Sequence, residues 1–361
     1  MRSTRIALAA ALLAGAGALA VTAAGTASAD DVPAVEAGAV AEPSASTEAS
    51  TAAPTFTMTA VPSEDGGRWP VISGAVTGAP DSVWVDFVRT DAESPTGVAM
   101  PPLETRPDGT FDMTDGSTFV GGVATYTGTT RATPRYPSVS AQVSIVLPFA
   151  STTLSVRPSG VIYTAGDQVG FSGALGKTFS NRRVEIWTDP VGADQPARLA
   201  AAGTVNEYGI FGTNVKLSRN TTVTVKFAGD TRYAPRTAST AIRVKVLAST
   251  AITKSYKTAK IGSTPYQYVR KSVHPVFTTS MTWNAGRKQK LTFEYYSGGK
   301  WKSWRSGLFP LSKAGKSIYT LTGTNKTGVR YRVRTAYLPG TSGDSLNYTT
   351  YGAWKYFTFT S

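Results

Sequence analysis

Two short stretches decide the fold: Thr222 to Phe227 reads TVTVKF, and Ile242 to Val246 reads IRVKV. Both alternate apolar and polar residues with a period of two, the pattern of a β-strand that buries one face. Glycine, proline, asparagine and aspartate, which favour turns, separate similar stretches throughout residues 56–248. No stretch after residue 29 has a convincing helical period. The pattern predicts an all-β chain of antiparallel β-sandwiches, with a β-barrel as the main alternative.

An internal repeat indicates that this β pattern occurs twice. Four blocks recur in the same order at offsets of 99 to 101 residues. They are VISGA at 71–75 with GFSGA at 170–174, VDFV at 85–88 with VEIW at 184–187, DGTF at 108–111 with YGIF at 208–211, and GTTR at 128–131 with GDTR at 229–232. A fixed period with a small drift is typical of a duplicated domain with loop insertions. We predict two β-sandwiches, at 56–149 and 150–248.

Two turns in the second copy carry a family resemblance. The stretch GDTRYAP at 229–235 lies between two alternating strands and follows the turn NEYGIF at 206–211. These turns resemble those of the bacterial immunoglobulin-like repeat domains of secreted and surface proteins. The first copy matches more loosely, because Thr129 and Ala132 replace the aspartate and the tyrosine. The resemblance implies an immunoglobulin-like fold and a spacer, adhesion or binding role, and it supplies no catalytic residues.

Residues 249–361 carry weaker echoes of the same repeat, and we predict a third, diverged β-sandwich there. Its clearest strands are predicted at 291–296, 329–335 and 354–360. Ser297 to Lys300 reads SGGK, which is typical of a hairpin turn. The stretch SKAGK at 312–316 stands where the earlier copies have their glycine turn, and Gly343-Asp344 echoes the G-D turn.

The N-terminal residues have the pattern of a secretory signal peptide at 1–29. Two arginines precede an apolar run from Ile6 to Ala20, and Ala27-Ser28-Ala29 is a small-residue cleavage site. Residues 30–55 are mainly Ala, Ser, Thr, Glu and Pro without an aromatic residue, which predicts a disordered linker. We therefore expect a secreted, extracellular protein without a transmembrane segment in the mature chain, and retention at the cell envelope is one option.

The composition removes most catalytic chemistry. The chain has no cysteine, which excludes disulfides, thiol nucleophiles, thiolate zinc sites and iron–sulfur centres. The single histidine, His274, has only Glu294 and Asp344 as carboxylates in its own module, a poor basis for an acid–base relay. We expect no enzymatic activity and no cofactor, and an extracellular hydrolase is the weakest alternative. Turn residues Asp108 and Asp230 leave a loop calcium site open.

Residues 249–361 are the one region that suggests a binding site. They hold 18 basic and 2 acidic residues, and 20 of the 37 aromatic residues, in a chain with a net charge of +14. Alternation places three arginines on one face of the strand at 329–335, ~6.5–7 Å apart, a spacing suited to repeated anions. The candidate ligand-binding residues are Arg330, Arg332, Arg334, Lys300, Lys302, Arg305, Trp301 and Trp304. Such cations favour an anionic cell-wall polymer or polysaccharide, and exposed aromatic rings favour carbohydrate. No motif for specific nucleic-acid binding is present.

Two functional interpretations remain open at this point. In the first, the immunoglobulin-like sandwiches are spacers that present a basic module to a polymer of the cell envelope. In the second, all three modules form a structural or adhesion scaffold that contacts another protein. The arginine stripe does not separate them, because alternating charged and apolar residues are typical of any half-buried strand.

Overall fold

The computed structural model describes residues 53–63, 69–79, 81–117 and 120–361. Every regular element in these ranges is a β-strand, which confirms the predicted all-β class. No helix among the described residues is long and apolar enough to cross a membrane. The predicted signal peptide and all of the predicted linker up to residue 52 lie outside the described residues.

The contacts divide the chain into two compact units. Unit 1 contains the described residues up to Ser151 with Thr231–Ala234, and unit 2 is Thr152–Asp230 with Pro235–Ser361. Unit 2 therefore contains the predicted third module and all of the predicted second module except residues 150–151 and 231–234. The boundaries near residues 149 and 248 stay predictions.

The described residues of unit 1 form eight strands in two sheets. They are β1 (Thr55–Pro62), β2 (Pro70–Thr77), β3 (Trp84–Thr90), β4 (Val98–Ala99), β5 (Leu103–Glu104), β6 (Thr110–Thr114), β7 (Gly122–Thr130) and β8 (Ser140–Leu147). One sheet has the order β1-β2-β6, and the other has the order β4-β3-β7-β8 with β5 paired to β3. Ile72 and Phe111 from the first sheet pack in one core with Val85, Phe87 and Tyr126 from the second, so the pair of sheets is a sandwich.

The first pair of sheets in unit 2 is also a sandwich. Its strands are β9 (Leu154–Arg157), β10 (Ile162–Thr164), β11 (Gln168–Leu175), β12 (Arg183–Pro190), β13 (Arg198–Thr204), β14 (Ile210–Lys216), β15 (Thr221–Phe227) and β16 (Arg236–Lys245). The sheet orders are β14-β11-β9 and β10-β16-β15-β12-β13, and β10 pairs with β16 in parallel. The TVTVKF stretch lies in β15 with Val223, Val225 and Phe227 buried, as its alternation predicts. A Cβ on Gly173 of β11 would come within 2.6 Å of Val225, so glycine permits the close approach of the two sheets.

The second pair of sheets in unit 2 is larger. Its strands are β17 (Ala248–Thr253), β18 (Lys257–Ile261), β19 (Thr264–Arg270), β20 (Val276–Met281), β21 (Lys288–Ser297), β22 (Lys300–Pro310), β23 (Lys316–Thr320), β24 (Arg330–Tyr337), β25 (Thr350–Tyr351) and β26 (Lys355–Thr360). A three-stranded sheet has the order β17-β20-β23. A seven-stranded sheet has the order β18-β19-β26-β24-β21-β22, with β25 paired to β24. Phe277 of the smaller sheet packs with Phe293, Val333 and Phe357 of the larger one. All three strands predicted in this region are confirmed.

One turn recurs in all three sandwiches and supports a common repeat. Gly109, Gly209 and Gly315 each have a positive φ, between 70° and 82°. The carbonyl group of each accepts a hydrogen bond from the N–H of a residue in the neighbouring strand, at 2.8–3.0 Å. A Cβ at any of them would lie 2.2–2.3 Å from a backbone carbonyl oxygen, so only glycine fits. The SKAGK stretch therefore does occupy the place of the earlier glycine turns.

Inside unit 2, the segment between β24 and β26 joins the two sandwiches. The side-chain amide of Asn347 donates to the carbonyl oxygens of Ser218 and Val244, at 3.0 and 3.2 Å. The N–H of Asn220 donates to the carbonyl oxygen of Leu346 at 2.8 Å. Because Asn347 is buried, these hydrogen bonds form a specific joint rather than a solvent-exposed hinge.

Candidate functional site

The three arginines of β24 lie on the solvent face of the seven-stranded sheet. On the opposite face, Tyr331 is 5% and Val333 is 0% exposed, and both belong to the core. Arg330, Arg332 and Arg334 are half-buried. The division of this strand into a charged face and a core face is confirmed.

The three guanidinium groups pack against aromatic rings, in an array that we call the cation–π ladder. Its members are Tyr296, Trp301, Arg330, Arg332, Arg334, Tyr351 and Trp354. The guanidinium carbon of Arg332 lies 4.4 Å from the ring centroid of Trp301 and 4.1 Å from that of Trp354. Arg334 lies 4.4 Å from both Trp354 and Tyr351, and Arg330 lies 3.8 Å from Tyr296. Trp354 therefore contacts two cations, and the array runs without a break across the face.

Strand register explains why these rings meet the arginines. Tyr296 and Trp301 are cross-strand partners in the β21–β22 hairpin, and their ring centroids are 5.2 Å apart. Tyr351 lies in β25, which pairs with β24 beside Arg334. Trp354 precedes β26, which pairs with β24 along the same edge as β25, opposite β21. The neighbouring strands thus supply rings to the face that the β24 arginines occupy.

The arginines of the ladder differ in their charge partners. Arg332 donates two hydrogen bonds to Glu294, the residue directly opposite on β21. Arg330 and Arg334 have neither a carboxylate partner nor a side-chain hydrogen bond among the described residues. Each cation–π contact is worth about 0.5–1 kcal/mol at an exposed site and about 2 kcal/mol when desolvated. The rings therefore hold all three guanidinium groups, whereas only that of Arg332 is also hydrogen-bonded to a carboxylate.

The remaining candidates lie along the edge of the same sheet, on β22. Lys300, Lys302 and Arg305 are exposed, and we call these three residues the basic edge. Trp304 does not share the ladder face. A register shift in the β21–β22 pairing occurs beside it, and its ring packs on Phe293 at 6.2 Å and on Tyr331 at 4.9 Å. The eight predicted residues thus form two groups and one core ring: four in the ladder, three on the basic edge, and Trp304.

The two carboxylates of residues 249–361 are both engaged by arginines. Glu294 pairs with Arg332, and Asp344 accepts two hydrogen bonds from Arg287, at 2.7 and 2.9 Å. Arg287 is 2% exposed, and its guanidinium carbon lies 4.7 Å from the ring of Tyr337. Among the described residues, the other sixteen lysines and arginines of this region have no carboxylate within salt-bridge distance.

The Arg287 cluster shifts the pKa values of its acidic members. Burial acts to raise the pKa of Asp344, but hydrogen bonds from Arg287 and Tyr337 outweigh it, and the pKa lies below its ordinary value. Burial, together with the hydrogen bond to Asp344, raises the pKa of Tyr337 to about 12. The carboxylate therefore stays ionised and the phenol neutral at physiological pH, so the cluster supports the fold and titrates only outside that range.

The described residues bring together no catalytic constellation. His274 is exposed, and its side chain has no hydrogen bond to a carboxylate or hydroxyl group in these ranges. Asp108 accepts hydrogen bonds from its own turn at Thr110, and Asp230 accepts three from backbone N–H groups at 179–181. Within the described ranges, no group of three His, Asp or Glu side chains is placed to hold a metal ion.

Sequence reasoning missed Glu294, Tyr296, Tyr351 and Trp354 as parts of the site. Glu294 was recognised only as one of two carboxylates, and its pairing with Arg332 depends on the register of β21 against β24. The sequence holds a weak signal for Trp354. It lies an odd number of positions from Phe357 and Phe359 of the last strand, so it falls on the opposite face. Nothing local indicates Tyr351, because β25 is only two residues long.

Comparisons with known proteins identify no family. No protein-family model matches the chain, and no curated protein matches it. A solved tetra-tandem repeat from the extending region of a large adhesion protein is 14% identical, covers 84% of this chain and 74% of that one, and has a TM-score of 0.49. The FN1–FN3 domains of chicken CNTN1 are 10% identical, with coverage of 84% and 96% and a TM-score of 0.23. Trypsin-activated alpha-2-macroglobulin from Escherichia coli is 12% identical over 86% of this chain and 24% of that one, with a TM-score of 0.26. These values are too low to indicate what this chain binds.

Proposed function

We propose that the protein is a secreted, non-catalytic binding protein of the bacterial cell envelope, and that residues 249–361 bind an anionic wall polymer or polysaccharide. The remaining sandwiches serve as spacers. A signal peptide at 1–29 directs export of the chain. A linker at 30–55 holds the folded part away from its point of attachment or release.

The observation that carries this proposal is the unbalanced charge of residues 249–361. Eighteen basic residues face two acidic ones, and both acids are already paired with arginines. A surface with this excess attracts polyanions and raises their local concentration. The Lys300 to Arg305 segment adds a row of exposed cations along one sheet edge, which is accessible to an extended polymer.

Electrostatic contact receives more support than sugar stacking. Trp301 and Trp354 contact the arginines of the ladder, and Trp304 packs on the core, so three of the four tryptophans of this region are already in contact with other side chains. Trp283, which is 45% exposed, is the exception. The guanidinium edges and lysine amines, in contrast, have donors to spare. We therefore assign the main contribution to charge, with hydrogen bonds to the polymer adding specificity.

The proposal is tested by co-sedimentation of the exported chain with isolated cell walls of the producing organism at low salt. The variant Lys300→Gln/Lys302→Gln/Arg305→Gln is expected to lose most of the bound fraction. Lys177→Gln/Arg183→Gln/Lys216→Gln is the matched control, since it removes three exposed cations from residues 150–248. Equal loss in both variants, or no binding by the unmodified protein, contradicts the proposal.

The second candidate is a structural or adhesion scaffold that contacts another protein. The basic edge favours it in one respect, because lysines on an edge strand prevent sheets from pairing edge to edge. In that case the triple β22 substitution leaves co-sedimentation with walls unchanged but gives the protein a tendency to self-associate. Analytical ultracentrifugation of the same variant therefore separates the two functions.

A further inference from the structure

The ladder holds its two unpaired guanidinium groups apart. Arg330 and Arg334 are four residues apart on β24, which corresponds to ~13 Å along a strand. Their guanidinium carbons lie 3.8–4.4 Å from the ring centroids of Tyr296, Tyr351 and Trp354, and neither arginine donates a side-chain hydrogen bond among the described residues. A planar guanidinium with free edges binds a carboxylate, sulfate or phosphate through two parallel hydrogen bonds. The face thus contains two fixed anion-binding forks.

The position between the forks has the opposite chemistry. Glu294 lies directly opposite Arg332 on β21. Its carboxylate accepts two hydrogen bonds from the guanidinium group of Arg332, at 2.7 and 2.5 Å. A ligand anion placed there would meet a carboxylate whose partner cation is already engaged, and like charges at short range repel. A neutral hydroxyl group would instead find an acceptor. Along β24, the face therefore presents an anion site, an acceptor site and a second anion site.

We propose that the ladder selects a polysaccharide whose acidic groups are separated by neutral sugars, and that it discriminates against polymers charged at every repeat. This inference rests on the proposed function and specifies the ligand class of the same region. Alternate residues on a strand are ~6.5–7 Å apart. A polymer with an anion at this spacing that places two anions at Arg330 and Arg334 would also place one between them, next to Glu294. A polymer with neutral, hydroxyl-bearing sugars between its acids satisfies all three positions.

The test compares two probes on the exported chain by isothermal titration calorimetry: hyaluronan, with one carboxylate for every two sugars, and inorganic polyphosphate, with a charge on every unit. Arg330→Gln and Arg334→Gln are each expected to weaken hyaluronan binding by about threefold or more, since each removes one charged fork. Glu294→Gln is expected to tighten polyphosphate binding by about threefold or more and to shift the ratio of the two dissociation constants towards polyphosphate.

Glu185→Gln is the matched control for the loss of the central carboxylate. Glu185 lies in β12, in the other sandwich of unit 2, where it is also half-buried and accepts a hydrogen bond from Trp187 instead of an arginine. The control makes the same change in net charge away from the ladder. If it alters the ratio of the two dissociation constants as much as Glu294→Gln does, the selectivity is a net-charge effect and the inference is overturned. Binding of both probes with an unchanged ratio in Glu294→Gln also overturns it, and leaves the proposed function intact. If the unmodified chain binds neither probe, the inference is overturned, and the proposed function is decided by the wall co-sedimentation.

Discussion

Removal of one buried charge, Asp344→Asn, gives the sharpest test of how unit 2 is stabilised. The substitution keeps the shape of the side chain but leaves Arg287 as a cation that is 2% exposed and lacks its carboxylate. Arg287 retains hydrogen bonds to the carbonyl oxygen of Thr282 and the side-chain oxygen of Asn347, both at 2.8 Å. Since Asn347 also joins the two sandwiches, the damage extends to that joint.

Breaking a buried ion pair by removing one partner costs about 3–5 kcal/mol of stability. Because Arg287 keeps two hydrogen-bond partners, we expect a loss at the lower end, about 3 kcal/mol. With an m-value of about 2–3 kcal/mol per molar urea, the unfolding midpoint of unit 2 falls by about 1–1.5 M. Urea titration followed by tryptophan fluorescence measures this shift directly, because four of the seven tryptophans lie in residues 249–361.

Two control variants separate burial from simple loss of charge. Asp86 and Arg131 in unit 1 are also 2.7 Å apart, but their side chains are 51% and 53% exposed, so Asp86→Asn is expected to leave the midpoint of unit 1 unchanged. Replacing both buried partners, in Arg287→Met/Asp344→Leu, removes the unpaired charge but leaves Asn347 and Tyr337 without these hydrogen bonds, so it should recover only part of the lost stability. A loss below about 1 kcal/mol in Asp344→Asn refutes the account of the cluster.

Three further outcomes are expected. Val333→Ala removes two buried methyl groups and should lower the free energy of unfolding by about 2 kcal/mol, whereas Arg330→Gln on the opposite face should change it by less than about 1 kcal/mol; equal effects in denaturant titrations contradict the assigned faces. Gly315→Ala places a Cβ 2.3 Å from a carbonyl oxygen, at a φ of 70°. The free energy of unfolding, measured by thermal unfolding, is expected to fall by at least about 1 kcal/mol. Full retention of stability means that this turn is not the constrained glycine turn of the other repeats. Hydrogen bonds lower the pKa of Asp344 in the folded state, so its contribution to stability is present above pH ~3.9 and is lost as the pH falls through its folded-state pKa. The stability of Asp344→Asn should therefore decrease less steeply with acid than that of the unmodified protein. Identical profiles of stability against pH argue against the pairing.

Periodicity made the fold accessible from the sequence. The alternation in TVTVKF and in VRYRVRT identified which side chains are buried, because a strand exposes every second residue to the same face. The repeat offsets located corresponding elements, and the glycine turn at 312–316 was found by position despite the absence of a following phenylalanine. The joint between the two sandwiches of unit 2 has no local signal, since the hydrogen bonds of Asn347 reach residues more than 100 positions away.

The candidate site was accessible only in part. Alternation placed the three β24 arginines on one face, but proximity in sequence grouped Trp304 with Trp301, although the register shift beside Trp304 sends its ring to the core. The partners of the arginines come from β21, β22, β25 and the residue before β26, and only strand register brings them together. The sequence therefore predicted the cations, whereas the rings that hold them and the carboxylate between them required the structure.

The salt dependence of wall binding tests the central claim most directly. If residues 249–361 bind a polyanion, the logarithm of the binding constant should fall linearly with the logarithm of salt concentration, with a slope of at most about −0.9 per neutralised contact and less for a sparsely charged polymer. Replacing Lys300, Lys302 and Arg305 by glutamine should then reduce the magnitude of the slope by up to the contribution of three contacts. Binding that ignores salt, or a triple variant with the slope of the unmodified protein, would contradict the account and favour the scaffold function.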